Sequence, residues 1–351
     1  MNKTPKPFDC SYTPQFAELL HNLGISLAVS TYQAGKVIIL SAVDKDKLVQ
    51  LPRTFDAPMG MATTKDGLAV ATKDEVIVLR NSKSSAATYP PKKDVYDGMY
   101  LPRATYYTGV VAMHDMAFMP NNDLVGVNTS FSCLCKIDDK YGFTPFWQPD
   151  FITDLAPEDR CHLNGMAVEN GEIKYLSALG KTNTIQGWRD NKMDGGIVME
   201  YPSGKIIVDG LGMPHSPRIY DNELYVLNST QGELLKINRT TGEKEVISQL
   251  GGFARGMSRS GDYLFIGVSK LRHNSTAFND LPIADKSFSG VVAVYLPYGS
   301  IAGSFEYTMS VDEIYDVKVL ENLKRPSVLS PDMPAVKNSL VTPEQSFWKT
   351  T

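Results

Sequence analysis

A short unit recurs along this chain, and this repeat limits the fold more than any other feature of the sequence. Its copies begin near residues 58, 113, 162, 210, 253 and 313, and each joins a Gly-, Asp- or Ser-centred segment to a polar turn and an alternating strand. Aligning them on that strand gives one column of equivalent positions: Met59, His114, Asn164, His215, Arg255 and, less strictly, Tyr315. The intervals of 55, 50, 51, 40 and 60 residues resemble the roughly 40–50 residues of propeller repeats.

This spacing predicts an all-β chain folded as a six-bladed β-propeller, with five or seven blades as alternatives. Residues 1–24 are predicted to form an N-terminal extension with a short helix, 25–325 the propeller, and 326–351 a Pro-rich extended tail. The β-rich runs after residue 25 precede the first repeat unit. We expect them to pair with the last blade and close the ring, which leaves no exposed sheet edge.

Composition excludes several classes of function. The net charge is −4 and the isoelectric point is near 5.8, without a run of five Lys or Arg, so neither nucleic acid nor an anionic membrane is an expected partner. No apolar stretch is long enough to span a membrane, and the N-terminal sequence lacks a secretory apolar region, so we expect a cytoplasmic protein. The four cysteines, Cys10, Cys133, Cys135 and Cys161, are expected to be reduced thiols, and the pair Cys133 and Cys135 to serve in packing.

Equivalent positions of a propeller repeat should converge, because the first strand of every blade lines the central channel. Since a strand repeats every two residues, positions two before the column should form a second layer: His162, Met213, Phe253 and Glu313. Three of the five histidines, His114, His162 and His215, fall in these two layers. The other two, His21 and His273, are predicted to lie outside the ring.

Three imidazoles around one axis predict a metal site, because three protein ligands and one open position are typical of catalytic zinc. Zn²⁺ is the expected ion, with Fe, Cu or Ca as alternatives. Arg255 is predicted to hold an anionic substrate group, and Glu313, Tyr315 and Asp115 to transfer protons. Histidines that only hydrogen-bond the strand ends of the channel are the competing interpretation.

Further residues are candidates for substrate binding. Asn164 belongs to the column, and Arg160 immediately precedes the Cys161–His162 pair. Trp188 and Arg189 belong to a polar loop that could cover the channel mouth, while Tyr107 precedes the His114 strand.

The chain resembles a bacterial family of conserved hypothetical proteins, some of them fused to tetratricopeptide repeats. The matching motifs include HDMAF at 114, CHLNG at 161, MPHSPR at 213, GFARG at 252 and EIYDV at 313, and the resemblance spans about residues 25–325. It implies that His114, His162, His215, Arg255 and Glu313 are positions of family motifs.

The leading hypothesis from the sequence is a metal-dependent lyase, hydrolase or isomerase that acts on a small polar or anionic metabolite or a modified peptide at the channel mouth. One alternative is a non-catalytic propeller that recognises a protein or glycan partner through top-face loops 81–108 and 178–192. Another is a metal-free enzyme that uses Arg255, Glu313 and Tyr315.

Overall fold

The computed structural model describes residues 6–270, 281, 283 and 287–349. Within these residues, six antiparallel sheets surround a central channel, so the prediction of a six-bladed propeller is confirmed and the alternatives of five or seven blades are wrong. Blade 1 contains the first long strands of the chain, and blades 2–6 follow in chain order. His273 lies outside the described residues.

Blades 2–6 have their strands in sequence order from the channel outward. The strands of blade 2 are Met61–Thr63, Gly67–Ala71, Glu75–Asn81 and Gly98–Tyr107. Those of blade 3 are Met113–Phe118, Leu124–Asn128, Cys133–Ile137 and Thr144–Trp147. Those of blade 4 are Leu163–Glu169, Glu172–Ala178, Gly196–Glu200 and Ile206–Leu211. Those of blade 5 are Pro214–Tyr220, Glu223–Asn228, Glu233–Ile237 and Lys244–Gln249. Those of blade 6 are Phe253–Ser260, Tyr263–Ser269, Ser289–Tyr295 and Ser300–Tyr307.

Blade 1 is built from both ends of the chain. Its innermost strand, Asp316–Leu320, pairs with Ser26–Thr31, with Ser26 opposite Leu320 and Ser30 opposite Asp316. Lys36–Ala42 and Leu48–Thr54 complete the sheet. The predicted closure of the ring by N-terminal strands is therefore confirmed.

The N-terminal extension packs on this closure. Strand Cys10–Tyr12 adds to the outer edge of blade 6, and the predicted helix spans Pro14–Leu23. Pro14 starts the helix and Gly24 ends it with a φ of 68°, a conformation that glycine adopts at little cost. Phe16 and Leu20 are buried between the blades.

The remaining helices are short and lie in connections: α-helices Lys83–Ala87 and Pro334–Asn338, and 3₁₀ helices Pro90–Lys92 and Gly187–Asn191. No helix in the part of the chain that the structure describes has the length and apolar character to cross a membrane.

The C-terminal tail docks on blade 2. Pro326–Val328 is an extended strand that runs parallel to the outer strand Gly98–Tyr107, and the tail ends in a hairpin of Ser339–Val341 and Ser346–Trp348. Trp348 packs against Tyr89 with 5.1 Å between ring centroids. The tail thus covers the outer edge of this blade.

Neighbouring blades are joined by side-chain hydroxyls at the ends of their second strands. In each case the hydroxyl donates to a carbonyl of the next blade's inner segment: Ser30 to Met59, Thr129 to Leu163, Ser229 to Ala254 and Ser269 to Ile314. These buried bonds fix the inner strands relative to one another.

A cluster of four charged side chains, here called the charge hub, closes the middle of the channel. Asp115, Arg218, Asp316 and Lys318 come from blades 3, 5 and 1 and are all largely buried. Arg218 donates to both carboxylate oxygens of Asp115 at 2.7 and 3.1 Å and to the carbonyl of Met166 in blade 4. Lys318 lies 3.1 Å from Asp316. The hub therefore links blades 1, 3, 4 and 5 across the channel.

The structure agrees with the packing role predicted for Cys133 and Cys135. All four thiols are free, and Cys133, Cys135 and Cys161 are buried in the cores of blades 3 and 4. Burial raises the pKa of Cys133 and of Cys161 to about 12 in each case, so both remain protonated at neutral pH.

Candidate functional site

A cavity of about 470 Å³ opens at one end of the channel, above the charge hub. The structure brings together here most of the residues predicted from the repeat. The column contributes Met59, His114, His215, Arg255 and Tyr315, and the second layer contributes His162, Met213, Phe253 and Glu313. Trp188 and Arg189, from the loop after blade 4's second strand, complete the wall. A volume of this size suits a small molecule.

The same backbone turn leads into the inner strands of three neighbouring blades. Ala112, His162 and Met213, each two residues before the column, have left-handed φ values of 51, 50 and 49°. The carbonyls of Ala112 and Met213 thereby accept a hydrogen bond from Nδ1 of the histidine two residues later, at 2.8 Å in both cases. This strained turn orients His114 and His215 in the same way.

The hydrogen bonds fix the tautomer of all three histidines. A carbonyl oxygen can only accept, so Nδ1 of His114 and of His215 carries the proton. Ser229 uses its own hydroxyl proton on Ala254 and accepts from His215 at 2.8 Å. His162 donates from Nδ1 to the carboxylate of Asp159 at 2.8 Å. In the neutral form, each ring therefore carries its proton on Nδ1 and leaves Nε2 unprotonated.

Two of the histidine rings are in contact, and burial affects the pKa of His114 and of His215. His114 and His162 meet edge to face with 4.8 Å between centroids, and Trp188 lies 4.5 Å from His162. Burial, followed by the charges of His162 and Arg255, lowers the pKa of His114 well below its usual value. Burial and Arg255 do the same to the pKa of His215. Both imidazoles are neutral at physiological pH.

These two depressed pKa values predict a loss of stability in mild acid. Above about pH 6.5 both histidines are neutral in the folded and unfolded states. Below it the unfolded chain takes up protons that the folded chain does not, so each histidine lowers the free energy of unfolding by up to about 1.4 kcal/mol per pH unit. Urea unfolding of chelated protein at pH 7.5 and 5.5 measures this slope.

The control for this pH effect is His215→Asn, whose amide can replace the Nδ1 donor without titrating. The variant should show a shallower fall in stability between the two pH values, because surface carboxylates contribute equally to both proteins. Equal slopes for the two proteins would contradict the buried neutral state of His215.

Arg255 and Glu313 form an ion pair across the cavity wall. Nη1 of Arg255 lies 2.8 Å from the Glu313 carboxylate, and its guanidinium stacks 3.9 Å from the ring centroid of Tyr315. Burial raises the pKa of Tyr315, so its hydroxyl stays protonated. Three cations, Arg189, Arg255 and Lys270, line the cavity against one carboxylate, Glu313. The cavity is thus positive in a protein of net charge −4, which favours an anionic ligand.

Four candidates from the sequence lie elsewhere. Asn164 lies one level deeper, at the cavity floor. Asp115 is part of the charge hub, where Arg218 and the backbone amides of Met116 and Met166 occupy its oxygens, and it lies outside the cavity lining. Although burial opposes it, Arg218 and Lys318 hold the pKa of Asp115 below its usual value, so proton transfer is a poor role for it.

Arg160 and Tyr107 also lie outside the cavity lining. Arg160 is held by Glu158 at 2.7 Å and by Asn183 at 2.9 Å, and its carbonyl accepts from Thr182, so it orders the loops beside His162. Tyr107 ends the outermost strand of blade 2 and is 77% exposed. Tyr107 precedes the His114 strand in sequence, as predicted from the sequence, but it belongs to the fourth strand of blade 2.

Sequence reasoning missed Asp159, Ser229, Tyr32 and Lys270. Asp159 binds His162 and also accepts from the indole N–H of Trp188 at 3.0 Å. An acidic residue three positions before a histidine was the available signal. Ser229 comes from the neighbouring strand, whereas Tyr32 and Lys270 reach the cavity from distant loops.

No group of three or more His, Cys, Asp or Glu side chains among residues 6–270, 281, 283 and 287–349 is arranged to hold a metal ion. A metal would therefore require the imidazoles to turn toward one another. Their fixed Nδ1 tautomers and free Nε2 atoms are nevertheless the form in which histidine binds a metal.

The fold and this cavity define the class of the protein: a six-bladed β-propeller with a ligand-sized, histidine-lined cavity at one end of its channel. The chain belongs to the family described as "Domain of unknown function (DUF4915)", which matches residues 14–329. No curated protein sequence matches it.

Solved structures share the fold at low sequence identity. A chain in the crystal structure of a nidogen/laminin complex aligns with a TM-score of 0.53 and 10% identity, over 85% of this chain and 99% of that one. A protein of unknown function from Bacteroides caccae aligns with a TM-score of 0.52 and 12% identity, over 84% of this chain and 98% of that one. At this identity the likeness concerns the fold alone.

Proposed function

We propose that the cavity is the active site of a lyase, hydrolase or isomerase for a small anionic metabolite or modified peptide, with a divalent transition metal held by His114, His162 and His215. The observation that carries this proposal is that all three imidazoles are oriented by the same kind of hydrogen bond. Each donates its Nδ1 proton to an oxygen acceptor, one of which is the carboxylate of Asp159. Metal-binding histidines are oriented in this way in most known sites.

The chemistry of the donors fits zinc best. Three neutral nitrogen ligands leave one position open for water or substrate, and such an ion activates the bound water or polarises a carbonyl. Calcium is disfavoured, because it prefers oxygen ligands. Within this scheme Asp159 is a positioning residue that holds His162 and Trp188 at the cavity wall.

Other residues of the cavity lining would bind the substrate, accept a proton and exclude water. Arg255 would bind an anionic group of the substrate, because its guanidinium is buried beside Tyr315 and only partly neutralised by Glu313. Glu313 is the carboxylate of the cavity lining and the natural proton acceptor. Trp188, with Arg189 stacked 4.6 Å from its ring, would exclude water at the mouth.

Metal analysis of untagged protein tests the proposal. We expect about one equivalent of a transition metal, zinc before the others, and a fall below about a tenth of an equivalent in His215→Ala. Cobalt(II) substitution should give the visible absorption of a tetrahedral nitrogen site. His21→Ala is the matched control, because His21 lies on the N-terminal helix away from the cavity.

A metal-free enzyme is the second candidate, and the Arg255–Glu313 pair beside Tyr315 favours it. Protein that contains less than a tenth of an equivalent of metal and gives no cobalt spectrum would reject the three-histidine site. Ligand binding that survives chelation but not Arg255→Ala would then support the metal-free enzyme. A binding propeller instead predicts that His114→Ala and His215→Ala leave partner binding intact while changes in loop 178–192 abolish it.

A further inference from the structure

A second and much smaller pocket lies between the histidines and the charge hub. Its volume of about 10 Å³ is close to that of a single water-sized oxygen atom. Asn164, Arg255 and Tyr315 line it, together with His114 and His215, which also line the cavity above. The pocket is therefore the floor of the proposed active site.

Three residues that line this floor carry a polar atom without a well-formed hydrogen bond within the described part of the chain: Asn164 Nδ2, Arg255 Nε and the Tyr315 hydroxyl, which feels the nearby Arg255 guanidinium. Asn164 and Tyr315 are only 4% and 7% exposed. Buried polar groups are normally paired, because an unpaired one loses its bonds to water without compensation. All three groups can donate, so an oxygen acceptor bound in this pocket would suit each of them.

Two carboxylates, Asp115 and Asp316, line the same pocket from below and would oppose an anion. Each already has a cationic partner in the charge hub, Arg218 at 2.7 Å and Lys318 at 3.1 Å. The donors of the floor, including the charged guanidinium of Arg255, therefore face a background that is nearly neutral.

We infer that this floor pocket is a subsite for one oxygen of a carboxylate group, and that the substrate of the proposed reaction is a carboxylic acid anion. The volume takes a single oxygen, and a singly charged carboxylate suits the pocket better than a doubly charged phosphate, because Asp115 and Asp316 line it from below. The second carboxylate oxygen would remain in the histidine-lined cavity. That this anion is a substrate rests on the proposed function, but its binding in the floor pocket does not require a metal.

Calorimetric binding of three matched probes tests the subsite. Benzoate, benzamide and phenyl phosphate share a ring that suits the aromatic wall of Trp188 and Phe253 and differ in the group offered to the floor. We expect benzoate to bind at least about tenfold more tightly than benzamide, because donors bind an ionised acceptor more strongly. We expect the same preference over phenyl phosphate, because its second negative charge would face Asp115 and Asp316. Equal affinities, or no saturable benzoate binding, would overturn the subsite.

Tyr315→Phe removes one floor donor and should weaken benzoate binding about tenfold with no loss of thermal stability, because it also removes an unpaired buried hydroxyl. The matched control is Tyr32→Phe, whose ring lies 6.1 Å from that of Tyr315 but outside the floor pocket. Wild-type affinity in Tyr315→Phe, or equal losses in the two variants, would reject the assignment.

Metal content measured in the same samples separates this inference from the proposed function. A benzoate preference in protein without metal supports the subsite while the metal proposal fails. Metal-loaded protein that binds benzoate and benzamide equally leaves the metal proposal standing and rejects the subsite. If chelation abolishes the preference for benzoate, the carboxylate binds the metal and not the floor pocket, and the subsite is rejected.

Discussion

Replacing Arg218 with methionine is expected to lower the free energy of unfolding by about 3–5 kcal/mol. The guanidinium provides two hydrogen bonds to Asp115, a carboxylate that is only 6% exposed, and a third to Met166. Without it Asp115 keeps a distant partner, Lys318 at 4.0 Å. Burying a poorly compensated charge is the cause of the large effect, which urea unfolding midpoints will measure.

Arg259→Met provides the control for Arg218→Met. Arg259 lies 2.6 Å from Asp221, but that carboxylate is 73% exposed, so the loss should stay within about 1 kcal/mol. Adding Asp115→Asn to Arg218→Met should restore part of the stability, because it removes the uncompensated charge. Similar losses at Arg218 and Arg259 would contradict a structural role of the charge hub.

The second large effect is expected for Gly256→Ala, in the inner strand of blade 6 next to Arg255. Gly256 has a φ of 75°, and a Cβ atom there would lie 2.6 Å from the Cα of Asp316 in blade 1. A left-handed alanine costs about 1–2 kcal/mol. The clash with backbone adds about 1–3 kcal/mol, because neither strand can move independently.

Gly109→Ala separates these two contributions. Gly109 has nearly the same φ, 73°, but no atom within 4 Å of an added Cβ. It should therefore show only the conformational cost, with benzoate binding unchanged. Gly256→Ala should lose more stability and also weaken benzoate binding, because the β-bulge that presents Arg255 is displaced. Equal unfolding midpoints for the two variants would contradict this prediction. They would show that blades 6 and 1 can move apart to accept the added Cβ without lowering the free energy of unfolding.

The sequence alone predicts the ring of blades and most of the cavity lining, because both follow from the repeat. Once the strands after each turn are aligned, His114, His215 and Arg255 occupy equivalent positions, and equivalent positions of a propeller face one axis. The residues two positions earlier reach the same cavity. In blades 3 to 5 these residues have a left-handed backbone conformation. They therefore reach the cavity through a turn and not through the alternation of a regular strand, which was the basis of the prediction.

The sequence could not predict the contacts between distant parts of the chain. Asp115 was predicted to transfer protons, but its partner Arg218 lies 103 residues away and no pattern in one sequence joins the two. Ser229, which accepts a hydrogen bond from His215, follows the neighbouring strand Glu223–Asn228. The sequence did not show that Tyr107 ends the fourth strand of blade 2, although Gly109 two residues later marks the turn that separates it from the next repeat.

The closure of blade 1 determines when the proposed site can come into existence during synthesis. Glu313 and Tyr315 directly precede Asp316–Leu320, the strand that pairs with residues almost three hundred positions earlier. A nascent chain can assemble blades 2–5 as they emerge, but it lacks the last wall of the cavity until this strand leaves the ribosome. Ligand affinity therefore reports ring closure directly, and unfinished chains have no complete site with which to compete for substrate.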